Sequence, residues 1–517
     1  MSVAGDRRVQ PYFVIDQLES VYSHAIGGGS FVNGTLDSVA YAFDLSKFAF
    51  PATVKVDFGS GASMDVAYAF FEVGGGYASN FDYEFTLRET VAVGPKYGLD
   101  IAGARSVSFD STISGRLAVV GEAAFHSPGL SNLVVNNSGI VLASTASTAL
   151  STTAAFEVGG GVITNHGLIE ARALKAYAIH AHLVDRSTPL TVENTYQLWA
   201  NDGVSPNGQS YGIVVDGSAN IGNSGEIVAG ASVFYDGRAD DATVAIAVNN
   251  AGMITGKMAL SPGGDSVVNS GSINGSVELG AGADLYEGRL GRALGAVLGG
   301  SGADTLNGGV GAETLDGGAG NDCVFGGQGG DLITDASGSN YLRGDDGNDS
   351  ISGGGAFDDI NGNMGDDTAH GNDGGDWVVG GKDQDLLYGD GGDDIVYGNM
   401  GDDTCYGGTG ADTIRGGQDN DTMSGAEGND WLSGDRGADT ISGGSGADTF
   451  YLFKGSAIDR VIDFNRAEGD RVQLDSGQHY ALRQDGADAV IDLGDGDQLI
   501  LVGVQASTLT GAWLIGG

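Results

Sequence analysis

Apolar residues recur every nine positions through the C-terminal part of the chain. The nine-residue frame runs without an insertion from Gly299 to Tyr451, which divides 153 residues into 17 units. The first unit is "GGSGADTLN" (299–307), the last is "GGSGADTFY" (443–451), and the eighth place is apolar in every unit. A three-residue strand buries only its middle side chain, so the pattern predicts one short strand per unit, joined by six-residue turns.

Aspartate occupies the sixth place of the unit almost as regularly. Glu313 and Asn340 fill this place in two units, and Asp fills it in the other 15. Glycine is concentrated at the front of the unit, where the turn needs φ > 0. Carboxylates and exposed turn carbonyls are the hard oxygen ligands that Ca²⁺ prefers. We therefore predict metal ligands at Asp304, Asp322, Asp331, Asp349, Asp358, Asp367, Asp376, Asp385, Asp394, Asp403, Asp412, Asp421, Asp430, Asp439 and Asp448.

The nonapeptide G-G-x-G-x-D-x-U-x, in which U is apolar, resembles the repeats-in-toxin (haemolysin-type) calcium-binding family. The resemblance covers 299–451 and implies a parallel β-roll with two units per turn, in which stacked turns share Ca²⁺. Seventeen units on two alternating sides give 15 same-side neighbour pairs, and the irregular second and fifth units weaken some of them. We therefore expect about ten to fifteen bound Ca²⁺ ions.

Two places depart from the nine-residue frame. Unit five, "DASGSNYLR" (335–343), has lost its leading glycines and its aspartate, so we expect no ion there. The stretch "LGAGADLYE" (279–287) looks like a further unit, but Asp284 lies 20 residues before Asp304 and is out of frame. Asp284 therefore either starts the stack or ends the preceding domain.

The charge of the array predicts that its folding depends on cations. Residues 299–451 hold 30 Asp plus Glu and only 4 Lys plus Arg, a net charge of −26. Without cations such a segment repels itself, and with them the binding energy becomes folding energy. The formal charge of the whole chain is −44, which excludes a nucleic-acid-binding protein because no basic patch is available for phosphates.

A looser period precedes the array. Segments such as "VVNNSGIV" (134–141) and "AVNNAGMI" (247–254) place Asn before a turn and an apolar strand. The asparagines are Asn137, Asn165, Asn194, Asn223, Asn250 and Asn269, at spacings of 28, 29, 29, 27 and 19 residues. Asn favours such turns, and a rung of about 28 residues accommodates three short strands, which predicts a right-handed parallel β-helix. The alternative is ordinary Asn-Gly turns in an antiparallel β-domain.

We expect an all-β protein with four parts. They are a β-rich cap or assembly domain at 1–129, a parallel β-helix at 130–298, the calcium-binding roll at 299–451 and a small antiparallel cap at 452–517. In the first part "VAYAF" occurs at 39–43 and 66–70, so either the solenoid begins early or a separate β-sandwich precedes it. The last part alternates strands with Asp-Gly turns, which favours hairpins.

The resemblance also implies a route out of the cell. The segment 452–517 looks like the C-terminal region of type I secreted proteins, which holds their export signal. The first twenty residues have no apolar core of about 7–15 residues, so we expect no conventional signal peptide. The sequence contains no apolar run of about 18 residues, so we predict no transmembrane helix. The expected location is therefore extracellular or at the cell surface, with the type I secretion machinery as a partner.

Two functions fit the sequence. The first is a non-enzymatic surface-layer, adhesin or biofilm-matrix protein, stiffened by Ca²⁺ and binding itself or a surface polysaccharide. The second is a carbohydrate-active β-helix enzyme, a lyase or an epimerase, with a calcium-dependent export module. No H-E-x-x-H and no G-x-S-x-G motif occurs, and we predict no catalytic residues. The pair "HAH" (His180 and His182) lies on one face of a strand, without an evident third metal ligand, so we interpret it as a solvated surface pair. The sequence favours the first function.

Overall fold

The computed structural model describes the strands between residues 13 and 127, and residues 133–144, 152–183, 188–201 and 209–516. Almost all regular structure in these residues is β-strand; the exception is one 3₁₀ turn, Ala506–Thr508. No helix among the described residues is long and apolar enough to cross a membrane. The chain forms two compact units, 1–282 with 293–295 and 283–292 with 296–517.

In the first unit, parallel strands stack in three columns, so that successive rungs repeat three strands. The first column contains Phe13–Ile15, Thr53–Phe58, Asp82–Leu87, Ser106–Ser111, Leu133–Asn137, Val162–Asn165, Leu190–Asn194, Ala219–Asn223, Ile246–Asn250 and Ser266–Asn269. The second contains Thr90–Val93, Arg116–Val120, Ile140–Ser144, Leu168–Arg172, Gln197–Asn201, Glu226–Tyr235, Met253–Ala259 and Ser272–Asn274. The third contains Ala69–Val73, Tyr97–Ile101, Ala123–Ser127, Thr152–Val158, Lys175–Ala181, Gln209–Val215 and Val277–Ala281, and the ends of Glu226–Tyr235 and Met253–Ala259 join it. One short antiparallel pair, Phe31–Val32 with Thr35–Leu36, stands outside the columns.

A ladder of buried asparagines ends the strands of the first column. The Nδ2 of Asn137 donates to Oδ1 of Asn165 at 2.8 Å, and Asn165 donates to Asn194 at 2.7 Å. The same bond, at 2.8 Å, continues through Asn194, Asn223, Asn250 and Asn269. Each interior amide is therefore satisfied by the rungs on both sides, which fixes the register of the stack. The parallel β-helix predicted from the asparagine spacing is confirmed.

The second unit is a roll of two parallel columns. One contains Leu285–Glu287, Thr305–Asn307, Cys323–Gln328, Tyr341–Asp346, Asp359–Met364, Trp377–Lys382, Ile395–Met400, Thr413–Gln418, Trp431–Arg436, Thr449–Leu452, Arg471–Leu474 and Leu514–Ile515. The other contains Val297–Ser301, Thr314–Ala319, Leu332–Thr334, Ser350–Gly355, Thr368–Asp373, Leu386–Gly391, Thr404–Thr409, Thr422–Glu427, Thr440–Ser445, Ile458–Val461 and Asp497–Leu501. Within the array each residue pairs with the residue 18 positions on, as in Ile414 with Leu432. Two nonapeptides therefore make one turn of the roll.

The core of the roll is the row of eighth-place side chains. All of them, from Leu306 to Phe450, are at most 2% exposed. The seventh and ninth places point outward, because side chains alternate along a strand. A single apolar residue per unit is therefore enough to fill the thin interior between the two sheets.

The tail contains the expected antiparallel strands. Ala481–Asp485 pairs with Asp488–Gly494, which pairs in turn with Asp497–Leu501. Asp495 and Gly496 connect the last two strands, and both have positive φ (57° and 106°), as a two-residue type I′ hairpin requires. The parallel columns also continue past residue 451, through Ile458–Val461 and Arg471–Leu474.

Candidate metal centre

The sixth-place aspartates form two continuous hydrogen-bonded ladders inside the turns. The backbone N–H of Asp394 donates to Oδ1 of Asp412, and the N–H of Asp412 donates to Oδ1 of Asp430, both at 2.9 Å. The first ladder runs through Asp284, Asp304, Asp322, Asn340, Asp358, Asp376, Asp394, Asp412, Asp430, Asp448 and Asp470. The second runs through Glu313, Asp331, Asp349, Asp367, Asp385, Asp403, Asp421, Asp439 and Asp459. All 15 predicted aspartates lie on these ladders, and each is at most 3% exposed.

The second carboxylate oxygen of each predicted aspartate has no partner. Oδ1 accepts the ladder bond, whereas the buried Oδ2 accepts no hydrogen bond in any of the 15. No Lys or Arg among the described residues forms an ion pair with these carboxylates. Burying a carboxylate without a counter-ion costs free energy, so a cation beside these two rows of oxygens would stabilise the roll.

Glycine at the front of each unit leaves room for these oxygens. A Cβ at Gly407 would overlap Oδ2 of Asp412, the aspartate of the same unit. Gly410 has a φ of 136°, and a Cβ there would overlap the carbonyl oxygen of Gly392 in the stacked turn. The glycines thus bring backbone carbonyls and carboxylates close together, which is the oxygen-only environment that Ca²⁺ prefers.

Burial raises the pKa of many of the ladder carboxyls. Desolvation raises the pKa of Asp385 to about 8. The backbone hydrogen bond from Asp367 lowers this pKa, and repulsion from Asp403 raises it further. Asp421 behaves in the same way, with a pKa of about 8. Desolvation also raises the pKa to about 7 for Asp367, Asp376, Asp403 and Asp412, and to about 6 for Asp304, Asp349, Asp358, Asp430 and Asp439. A divalent cation between neighbouring carboxylates would favour the ionised form that burial disfavours.

Unit five keeps the ladder but changes the donor set. Oδ1 of Asn340 accepts from the N–H of Asp322 at 2.9 Å, as an aspartate would, but its Nδ2 donates to the carbonyl of Gly338 at 3.3 Å. Asp335, at the first place of this unit, is buried, and its Oδ2 has no hydrogen-bond partner. Desolvation and repulsion from Asp322 raise the pKa of Asp335 to about 8. A carboxylate thus remains in this turn, which the sequence pattern did not reveal because Asp335 stands at a glycine position.

The ladders extend beyond the array at both ends. The N–H of Asp284 donates to Oδ1 of Asp304 at 2.8 Å, so Asp284 begins the first ladder. Asp459 and Asp470 accept from Asp439 and Asp448 at 3.3 and 3.1 Å and end the two ladders. The spacings here are 20 or 22 residues instead of 18, so a search in a strict nine-residue frame misses all three. The structure therefore adds Asp459 and Asp470 to the ladders and places Asp284, which the sequence left open, at the start of the first one.

Comparison with known proteins identifies the repeat. The family model of the RTX calcium-binding nonapeptide repeat matches 298–333, 335–369, 370–405, 397–432, 406–441 and 424–452. No curated protein matches the sequence. Among solved structures, the chain is similar to the extracellular lipase LipA from Serratia marcescens, with 18% identity and a TM-score of 0.20. The similarity covers 42% of this chain and 40% of that lipase, less than half of either, and says nothing about activity.

Proposed function

We propose, from the RTX calcium-binding nonapeptide repeats of residues 298–452, that this chain is a secreted structural protein that Ca²⁺ folds and stiffens. The two ladders of buried carboxylates carry the proposal, since each has one oxygen held by the backbone and one without a partner. Calcium gives those oxygens the charge compensation that the described side chains do not provide. Binding energy then becomes stability of the roll.

The ligands in this proposal are the 15 sixth-place aspartates together with turn carbonyls. Asp412 has Asp394 and Asp430 as ladder neighbours, so one ion between each neighbouring pair gives about ten to fifteen ions across the array. Glu313 keeps a buried Oε1 without a hydrogen-bond partner and can replace an aspartate. Counting ions in a calcium-replete crystal structure checks the number, and five or fewer ions would contradict a two-sided roll.

Export before folding follows from the same chemistry. The cytosol is poor in calcium, so the acidic array stays unfolded there, and the C-terminal part of the chain can enter a narrow channel. Extracellular modules bind Ca²⁺ at about 10⁻⁴–10⁻³ M, which matches the concentration outside the cell. The expected partner is the type I secretion machinery, with the signal in 452–517. Deleting 452–517 and finding unchanged export would contradict this part of the proposal.

The structural role at the cell surface is supported by composition and by the unpaired backbone groups that a stack of parallel strands leaves at its ends. Edges of this kind must be capped or paired with another chain, and repeated head-to-tail pairing gives filaments or a lattice. Calcium would promote association by cancelling part of the formal charge of −44. A surface polysaccharide is the other candidate partner.

Electron microscopy of the purified chain tests the structural role. In millimolar calcium we expect filaments or a lattice that disperse when EGTA is added. Dispersed monomers in calcium, unchanged in size by deletion of 1–129, would contradict self-assembly. Unsaturated products from alginate or pectin would instead identify a carbohydrate-active enzyme.

A further inference from the structure

A second group of metal-ligating side chains lies in the first unit, on the third strand column. The register pairs Glu157 of Thr152–Val158 with His180 of Lys175–Ala181, and His182 follows just after the second strand ends. One ligand atom from each of the three side chains lies within 4.8 Å of the other two. The sequence showed only the two histidines, because the glutamate comes from the neighbouring rung, 23 residues earlier.

The geometry of His180 points to a missing partner. Its Nε2 is buried and has no hydrogen-bond partner; Asp236 Oδ2 lies 3.5 Å away. The ring is held in place by stacking on Tyr177, with centroids 4.4 Å apart and planes at 8°. A buried imidazole nitrogen held in a fixed orientation without a hydrogen bond is costly in a protein interior, and a metal ion is one group that satisfies it.

The second histidine gives the cluster an opening to solvent. His182 is 45% exposed, and its ring centroid lies 4.1 Å from that of His180. Its Nδ1 is 3.8 Å from Oδ2 of Asp216, and Oδ1 of Asp216 accepts the backbone N–H of Leu183 at 2.7 Å. Carboxylates beside metal-binding imidazoles orient the ring and raise its basicity. Asp216 stands where such a supporting group belongs.

We propose that Glu157, His180 and His182 bind one divalent transition-metal cation of the zinc class, separate from the calcium of the roll. Two imidazoles and one carboxylate are a set that Zn²⁺ accepts, with its fourth position left to water or a ligand. Imidazole nitrogen suits Zn²⁺, Cu²⁺ and Ni²⁺, whereas Ca²⁺ takes oxygen ligands. The two kinds of site therefore select different metals, and millimolar calcium does not fill this one.

The test is a Co²⁺ titration of the full-length, untagged chain in millimolar calcium, followed by visible absorption and then by displacement with Zn²⁺. We expect one equivalent of Co²⁺ with d–d bands of a four- or five-coordinate site, displaced by Zn²⁺ that binds with a Kd of about 1 µM or tighter. His182→Ala and Glu157→Gln should each weaken Zn²⁺ binding by about tenfold or more. His180→Ala should abolish the bands.

A matched control is His166→Ala, since His166 is exposed and its Nδ1 is hydrogen-bonded to Oγ1 of Thr195 at 2.6 Å, away from the cluster. This variant should bind like the parent chain. His182 is exposed enough for its replacement to leave the fold intact, and circular dichroism in calcium checks this. Absence of stoichiometric binding in the parent chain, or equal binding in the His182 and His166 variants, would overturn the proposal.

Discussion

At the scale of single residues, each ladder aspartate uses one carboxylate oxygen to bind the backbone and leaves the other available to a metal ion. Oδ1 of Asp412 accepts the N–H of Asp394 and sets the spacing of the stacked turns, and Oδ2 faces the space beside Gly407. Asn340 keeps only the first of these roles, because its amide oxygen accepts the ladder bond and it has no second carboxylate oxygen. Asparagine is therefore the substitution that removes a metal ligand while keeping the backbone bond.

Asp412→Asn should preserve the roll at saturating calcium and lower the number of bound ions by about one to two, because Asp412 has a ladder neighbour on each side. The midpoint of calcium-induced folding should rise accordingly. Isothermal titration calorimetry measures both quantities. The control is Asp419→Asn, since Asp419 is exposed and its φ of 77° suits asparagine equally well. Equal stoichiometry in the two variants would show that the ladder carboxylates do not bind the ions.

At the scale of strands and turns, two different ladders hold the two units. The roll depends on carboxylates that need a cation, whereas the β-helix depends on neutral amides that satisfy one another. The Nδ2 of Asn194 donates to Asn223 at 2.8 Å, and its Oδ1 accepts from Asn165 at 2.7 Å. The β-helix should therefore stay folded when calcium is removed.

Asn194→Ala should destabilise the β-helix by about 1–3 kcal/mol, because it leaves buried amide groups of Asn165 and Asn223 unpaired. Chemical denaturation in calcium, followed by the fluorescence of Trp199, measures the change. Asn220→Ala is the matched control, since Asn220 is an exposed residue of the neighbouring strand Ala219–Asn223 in the same column and should change stability by less than about 0.5 kcal/mol. Equal effects of the two substitutions would show that the buried asparagine ladder does not stabilise the β-helix.

Much of this architecture could be predicted from the sequence, because the length of a repeated unit fixes which residues pair between stacked strands. The nine-residue spacing of the aspartates between Asp304 and Asp448 predicted a roll, and the spacing of the asparagines predicted a β-helix. The ends could not be predicted in the same way: Asp459 and Asp470 join the ladders at spacings of 20 and 22 residues. The approach of Glu157 to His180 also escaped prediction, because it depends on how one rung aligns with the next.

At the scale of the whole molecule, charge decides which state is stable. The chain carries 68 acidic and 24 basic residues, and the acidic excess is concentrated in the array. Protons and calcium are two ways of compensating buried carboxylates, and each should therefore reduce the need for the other.

Without calcium, the roll should be more stable at pH 5 than at pH 8. The pKa of Asp385 and Asp421 is raised to about 8, above the unfolded value of about 3.9. A group with a raised pKa in the folded state contributes its stability below the unfolded pKa and loses it as the pH rises through the folded value. Far-UV circular dichroism in calcium-free buffer measures the folded fraction of the array, which should rise as the pH falls from 8 to 5. In millimolar calcium the trend should reverse, because protons then compete with the metal; a metal-free roll that is less stable at pH 5 would contradict the account.

The central claim is that calcium folds the array and leaves the β-helix unchanged, and hydrogen exchange followed by mass spectrometry tests it most directly. In millimolar calcium, peptides from both 209–282 and 299–451 of the full-length chain should be protected. In EGTA, peptides from 299–451 should exchange within seconds while those from 209–282 stay protected, because only the array depends on a cation. Protection of 299–451 that persists in EGTA would contradict the claim.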